Sequence, residues 1–134
     1  MPREETLVIV KPDAVRRGLM GEVLSRLEGK GLRIEEMRMM RTDRDRAERL
    51  YEEHRDRPFF GELVDFITGG EVVVARVSGE LAISVVRALM GPTDPAAASP
   101  GTIRGDYGLV ITENLVHGSD SPESAKRELD LFFG

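Results

Sequence analysis

The chain has 134 residues, 40% of them hydrophobic and 32% charged; that length holds one ordinary domain with a real core and leaves no room for a second, and the balance argues against wholesale disorder. With no cysteine present, disulfides, thiolate metal sites and cysteine nucleophiles are excluded, so nucleophilic chemistry falls to Ser, Thr, His, Lys or carboxylates. A net charge of −5 and an aromatic content of 5% count against a DNA- or RNA-binding surface, while leaving room for a local basic pocket suited to a small anion.

No signal-type apolar core follows the N-terminus, and no apolar stretch of about 20 residues occurs, so no membrane association and a cytoplasmic location are expected. Thr6-Leu7-Val8-Ile9-Val10 reads as a buried central strand that stops at a loop, Lys11-Pro12-Asp13. Val23, Leu24 and Leu27 follow helical spacing over residues 21–30, with Gly29 and Gly31 as stop signals. Residues 32–40 alternate apolar with charged, as in a strand with one buried and one wet side. Thr42-Asp43 offers an N-cap for a helix to about His54, and Pro58 opens a second helix ending at Gly69-Gly70. Residues 72–77 form a third strand, 81–90 a helix, and 91–105 a long loop of the kind that is usually functional. Residues 107–112 supply the fourth strand, then comes a loop bearing His117, then a helix over 121–132. This order predicts an α+β fold with a ferredoxin-like βαββαβ core, a four-stranded antiparallel sheet with additional helices, as a single domain over residues 1–134.

His117 lies in a turn-rich segment ahead of Ser121 and Pro122, which read as an N-cap and first-turn pair. A neutral imidazole is a competent nucleophile toward phosphorus, particularly when a carboxylate holds its other nitrogen; Glu128 on the following helix is the candidate holder. Taken alone, the same histidine also reads as an exposed or structural side chain. His54, among Glu52, Glu53, Arg55 and Asp56, reads as a solvated helix end and is assigned no role. Phosphoryl transfer needs cationic groups on the phosphates and accurate positioning, which Lys11, Arg87, Thr93 and Arg104 supply if the fold brings them to one mouth. Each arginine singly also reads as a surface charge or salt bridge. Neither a Walker A pattern nor a Gly-x-Gly-x-x-Gly after a strand occurs, so a nucleotide would be held in some other way.

Four separated segments are more specific: Lys11-Pro12-Asp13, Arg57-Pro58-Phe59-Phe60, residues 100–106 (Pro-Gly-Thr-Ile-Arg-Gly-Asp) and residues 114–121 (Asn-Leu-Val-His-Gly-Ser-Asp-Ser). In this order they resemble nucleoside diphosphate kinases nearly end to end. The resemblance implies a ping-pong transfer of the γ-phosphoryl group of a nucleoside triphosphate to a nucleoside diphosphate through phosphorylated His117. It implies Lys11 at the transferring phosphate with Tyr51 beside it, and Arg87, Thr93 and Arg104 on the distal phosphates. Asn114 would hold the ribose hydroxyls and Phe59 would stack on the base, giving broad base specificity, while Phe60 reads as core. Ser119 would support the phosphate site and Glu128 orient the imidazole. Mg2+ would ride on the nucleotide phosphates. The resemblance also implies a homo-oligomer, with Pro95 in the loop that forms subunit contacts; the chain stops at Gly134, short of the C-terminal tail of many relatives, so tetramer and hexamer both stay open. A regulatory relative that binds nucleotide without turnover is the alternative, and the presence of His117, Lys11 and the arginines speaks against it.

Overall fold

The computed structural model describes residues 3–134. Its frame is an antiparallel sheet of β1 (Arg3–Val10), β2 (Arg33–Arg41), β3 (Glu71–Glu80) and β4 (Val116–Gly118), in the order β2-β3-β1-β4. The helices are α1 (Pro12–Arg16), α2 (Met20–Lys30), α3 (Arg44–Leu50), α4 (Phe60–Thr68), α5 (Ala82–Met90), α6 (Ile103–Tyr107) and α7 (Pro122–Phe133). This is the expected ferredoxin-like α+β arrangement, with β1 and β3 at the centre.

Central strands covered on both faces read as continuous apolar runs, and Leu7, Val8, Ile9 and Val10 are each no more than 1% exposed. One face, with Val8, Val10, Val73 and Ala75, packs on Ala14, Val23, Leu27, Val86, Met90 and Ile103 of α1, α2, α5 and α6. The other, with Leu7, Ile9, Val72 and Val74, packs on α3, α4 and α7 through Ala47, Leu50, Val64, Ile67, Leu129 and Phe132. The caps at Asp43 and Ser121 are those the sequence offers, their side chains accepting from the backbone N–H of Arg46 and Ser124.

Four local expectations are corrected. Lys11-Pro12-Asp13 is no loop: Lys11 is the N-cap of α1 and Pro12 its first residue, where a missing N–H costs nothing. β2 does not bury one side; it is an edge strand, and a bulge between Ile34 and Glu36 resets its alternation, so that Met37 and Met39, opposite Ala75 and Val73, are 53% and 49% exposed. The long loop contains a 3-10 turn, Pro95–Ala97, and the start of α6, because Asp94 and Thr102 each cap the turn that follows them. The fourth strand is not residues 107–112. Tyr107 ends α6, Leu109, Val110 and Ile111 stand exposed, and the pairing opposite Val8, Ile9 and Val10 is taken by Gly118, His117 and Val116. His117 is therefore a strand residue, and the apolar run before it is left out of the sheet because residues 116–118 take the edge of β1.

The 91–107 segment is pinned by its small residues. Thr102 donates to the Ser99 carbonyl at 2.7 Å and accepts from Gly105 N–H at 2.9 Å, and a Cβ at Gly105 would collide with that same Ser99 carbonyl. In urea denaturation Thr102→Ala is expected to cost about 1 kcal/mol, the value of a helix cap, and Gly105→Ala more than this, because backbone rather than a mobile side chain must give way.

Candidate active site

Antiparallel pairing sets opposite residues on one face, so the Ile9–His117 pair puts the imidazole on the face covered by α7 and the α3–α4 hairpin. Pro122 at the first turn of α7 and the Ser121 cap aim that helix back across the strand, and Glu128 reaches His117: Nε2 lies 2.8 Å from Glu128 Oε1. The same oxygen accepts from Ser119 Oγ at 2.7 Å, and Ser119 is fully buried with its oxygen accepting from Leu7 N–H at 3.3 Å. Glu128, 4% exposed, is thus a fixed acceptor. An imidazole donating from Nε2 to a carboxylate carries its free lone pair on Nδ1. Ser119 touches the carboxylate rather than open space, so its support of the site runs through Glu128.

Around His117 lies a cavity of about 580 Å³, whose lining includes Lys11, Tyr51, Phe59, Arg87, Thr93, Arg104 and Asn114 together with His117 and Glu128. Every other residue singled out from the sequence as a site residue is thus at this one cleft, apart from Ser119, which stands behind Glu128. A shallower depression of about 350 Å³ over Glu4, Arg76 and Lys126 contains none of them.

The cations are held by backbone rather than by acids. Arg104, 6% exposed, donates from Nε to Asn114 O at 3.0 Å, from Nη1 to Gly91 O at 3.0 Å and from Nη2 to Val116 O at 2.7 Å. Arg87 donates to Gly118 O at 3.3 Å, and Lys11 Nζ donates to Asn114 Oδ1 at 2.9 Å, while Asn114 Nδ2 reaches Thr93 O at 3.3 Å. Neutral carbonyls orient these groups without cancelling their charge, so the cleft keeps an unmet demand for an anion. Burial, with Arg104 nearby, lowers Lys11 to about 8 against a partial opposing pull from Asp13; burial and then Arg87 lower Arg104 to about 10. Tyr51 moves the other way: burial, then the negative charge of Glu128, raises its hydroxyl above the ordinary phenol range despite Arg104, so it stays protonated and able to donate.

At the wider end Phe59 is 43% exposed and faces the cleft, whereas Phe60 is half-buried against the second core cluster. Pro95 is buried within its own chain, against Gly108. His54, set aside on sequence grounds, also lines the cavity and lies against Phe59 with ring centroids 5.5 Å apart and planes tilted by 53°. Nothing local in the sequence marks it, because the 3-10 turn Glu52–His54 after α3 is what swings it inward.

A nucleophilic nitrogen facing cations that are held by neutral oxygens is the equipment of a phosphotransferase. The comparisons with known proteins narrow that class. The family model for nucleoside diphosphate kinase matches residues 4–134. A nucleoside diphosphate kinase of Rubrobacter xylanophilus is 64% identical over 98% of both chains. Among solved structures, the apo enzyme of Encephalitozoon cuniculi superposes with a TM-score of 0.96 at 40% identity, over 98% of this chain and 89% of that one. The Halobacterium salinarum enzyme in complex with CDP superposes with a TM-score of 0.95 at 49% identity, over 98% and 88%. The chain belongs to the nucleoside diphosphate kinase family.

The lysine gives the cleft a pH signature. Below about 8 Lys11 is an ammonium and above it a neutral amine. Affinity for inorganic tripolyphosphate, read by calorimetry, is expected to hold through neutral pH and to fall as pH rises through about 8; an affinity flat to pH 10 would remove Lys11 from the anion site.

Proposed function

We propose that this chain, as one domain, transfers the γ-phosphoryl group of a nucleoside triphosphate to a nucleoside diphosphate in two half-reactions through a phosphorylated His117. The observation that carries the reading is the held imidazole: Nε2 on Glu128 at 2.8 Å, with the Nδ1 lone pair on the side of a cation-rich cleft. In the first half-reaction that lone pair attacks the γ-phosphorus, a nitrogen–phosphorus bond forms, and the β–γ bridging oxygen leaves with the electron pair of the broken bond as part of the diphosphate. Glu128 stabilises the positive charge growing on the ring, and Ser119 keeps the carboxylate in place. In the second, a terminal oxygen of an incoming nucleoside diphosphate attacks the same phosphorus and the nitrogen leaves, regenerating the neutral imidazole. Splitting the transfer this way makes the two steps chemically alike.

Arg87, Arg104, Thr93 and Lys11 take the phosphates, with Tyr51 donating beside them, Asn114 takes the ribose hydroxyls, and Phe59 takes one face of the base. A π-face reads no hydrogen-bond pattern, which supports broad base specificity. Mg2+ belongs on the phosphates: among the described residues no three His, Asp or Glu side chains converge as a metal cage, and a lining rich in cations suits an ion that arrives already carried by its nucleotide. There it would neutralise charge on the phosphate oxygens.

A homo-oligomer, tetramer or hexamer, is supported by the outer edge of β2, a strand with no neighbour on one side and with Met37 and Met39 exposed beside it. A cytoplasmic location remains the expectation; among the described residues no helix is long and apolar enough to cross a membrane.

Incubation with γ-labelled ATP and magnesium is expected to leave an acid-labile, base-stable label on the protein that moves to GTP when GDP is added. His117→Ala should abolish that label while leaving the fold intact by circular dichroism. Label persisting on the variant would mean a different nucleophile; ATP binding without transferable label on the unaltered chain would favour a regulatory nucleotide-binding role. Phe59→Ala is expected to weaken binding of adenine, guanine, cytosine and uracil nucleotides alike, by about 1–3 kcal/mol in calorimetry; a loss confined to one base would contradict stacking as the mode of recognition.

A further inference from the structure

One guanidinium ties three elements together beside the cleft. Arg127 of α7 donates from Nη1 to Arg49 O at 2.8 Å and from Nη2 to Glu53 Oε1 at 3.2 Å, and its Nη1 stands 3.6 Å from Glu52 Oε1. Arg49 is in the last turn of α3, and Glu52 and Glu53 begin the 3-10 turn that follows. A cation at the C-terminal end of a helix is met by carbonyl oxygens and by the negative end of the helix dipole. On its other side Arg127 Nη2 lies 3.7 Å from Glu128 Oε2, the oxygen that neither His117 nor Ser119 uses.

Ion pairs between exposed side chains contribute little, and pairs such as Arg49 with Asp45 or Arg44 with Glu48 join residues of one helix, so they cannot fix one element against another. Arg127 can, because a rigid planar fork reaches a carbonyl and carboxylates at once. Leu50, Tyr51 and Leu129 share one apolar cluster across the same boundary, but apolar packing is non-directional; the hydrogen-bonded fork sets the register. The turn held in this way carries His54 into the cleft, where it lies against Phe59. Tyr51 is anchored in the apolar core at 7% exposure, whereas His54 and Phe59 are exposed and take their places from the turn. The cations of the cleft stand elsewhere: Lys11, Arg87 and Arg104 are held by oxygens of residues 91, 114, 116 and 118.

We propose that Arg127 is a positioning residue for the nucleoside part of the ligand: it locks the α3–α4 hairpin onto α7, so that His54 and Phe59 stand preformed at a set distance from Glu128 and His117. The inference rests on the reading of this cleft as the site of nucleotide transfer. A locked hairpin matters to the part of a ligand that reaches it, and not to a bare phosphate chain, whose cationic partners are held by other elements.

The test is calorimetry on the full chain with ADP and with inorganic tripolyphosphate, well below the melting temperature. Arg127→Met keeps the length of the side chain and removes every donor. It is expected to weaken ADP by on the order of tenfold, because the ligand must then order the hairpin itself, while the affinity for tripolyphosphate stays that of the unaltered chain. A general loss of positive charge would weaken both ligands, and a purely stabilising Arg127 would lower the melting temperature and weaken neither; either result overturns the proposal. Arg127→Lys keeps the charge without the fork and is expected to show the same selective loss in smaller measure, whereas full recovery with lysine would reduce Arg127 to a surface charge. If the methionine variant does not fold, the lysine variant carries the same comparison. ADP binding to the unaltered chain without phosphate transfer would strike the function proposed for the cleft and leave this comparison in force; no ADP binding to the unaltered chain would sink both.

Discussion

Everything at the candidate site depends on a short piece of strand pairing. Val8, Ile9 and Val10 of β1 oppose Gly118, His117 and Val116 of β4, and the period-two alternation of a strand then fixes the destination of each side chain. Val116 enters the layer under α5, and Gly118 packs so closely on Val86 and Met90 that a Cβ would stand 3.0 Å from both side chains. His117, between them, can face only the other layer, toward Glu128. A slip of one residue would bury the imidazole under α5 and turn two small or apolar residues toward the cleft. The rigid centre of the sheet is what makes a 2.8 Å contact between strand and helix reproducible.

The second constraint is electrostatic. Lys11 and Arg104 are each 6% exposed, and their lowered proton affinities record the cost of keeping charge out of water and close to like charge. The chain meets that cost with backbone carbonyls at residues 91, 114 and 116 and with the Asn114 amide. Such partners orient a cation but leave its charge free for a ligand, whereas a salt bridge to each would have filled the site with the protein's own anions. The exposed carboxylates elsewhere form ordinary surface pairs, such as Arg44 with Asp65 and Arg49 with Asp45, which contribute little to stability. The cleft differs from the surface in that its buried cations, Lys11 and Arg104, are held by neutral carbonyl and amide oxygens rather than by salt bridges.

The two ends of the cleft are built differently. The end around His117, proposed to take the phosphates, is set by β1, β4 and α6, all packed in the core. The wider end, proposed to take the base, is set by Phe59 and His54 on the α3–α4 hairpin, where Phe59 is 43% exposed. In the proposed reading, chemistry that demands exact placement sits on the sheet, and recognition that needs only an aromatic face sits on the more exposed hairpin.

By itself the sequence determined the elements whose signals are local: the apolar run of β1, the helical spacing of α2, the caps at Asp43 and Ser121, and the absence of any P-loop. Through the family resemblance that its spaced motifs carry, it also pointed to the residues of the cleft. Tertiary structure alone decided the rest. Residues 109–111 carry strand-forming side chains yet stand in solvent, since the one open stretch of β1 was already paired with residues 116–118; propensity is a local quantity, and partner availability is not. β2 lost its buried face to a bulge and an edge position for the same reason. His54 entered the cleft through a turn whose direction no local pattern encodes, and the Asp13 carboxylate met Leu115 N–H, about a hundred positions away, only because chain folding brought the two within hydrogen-bond distance.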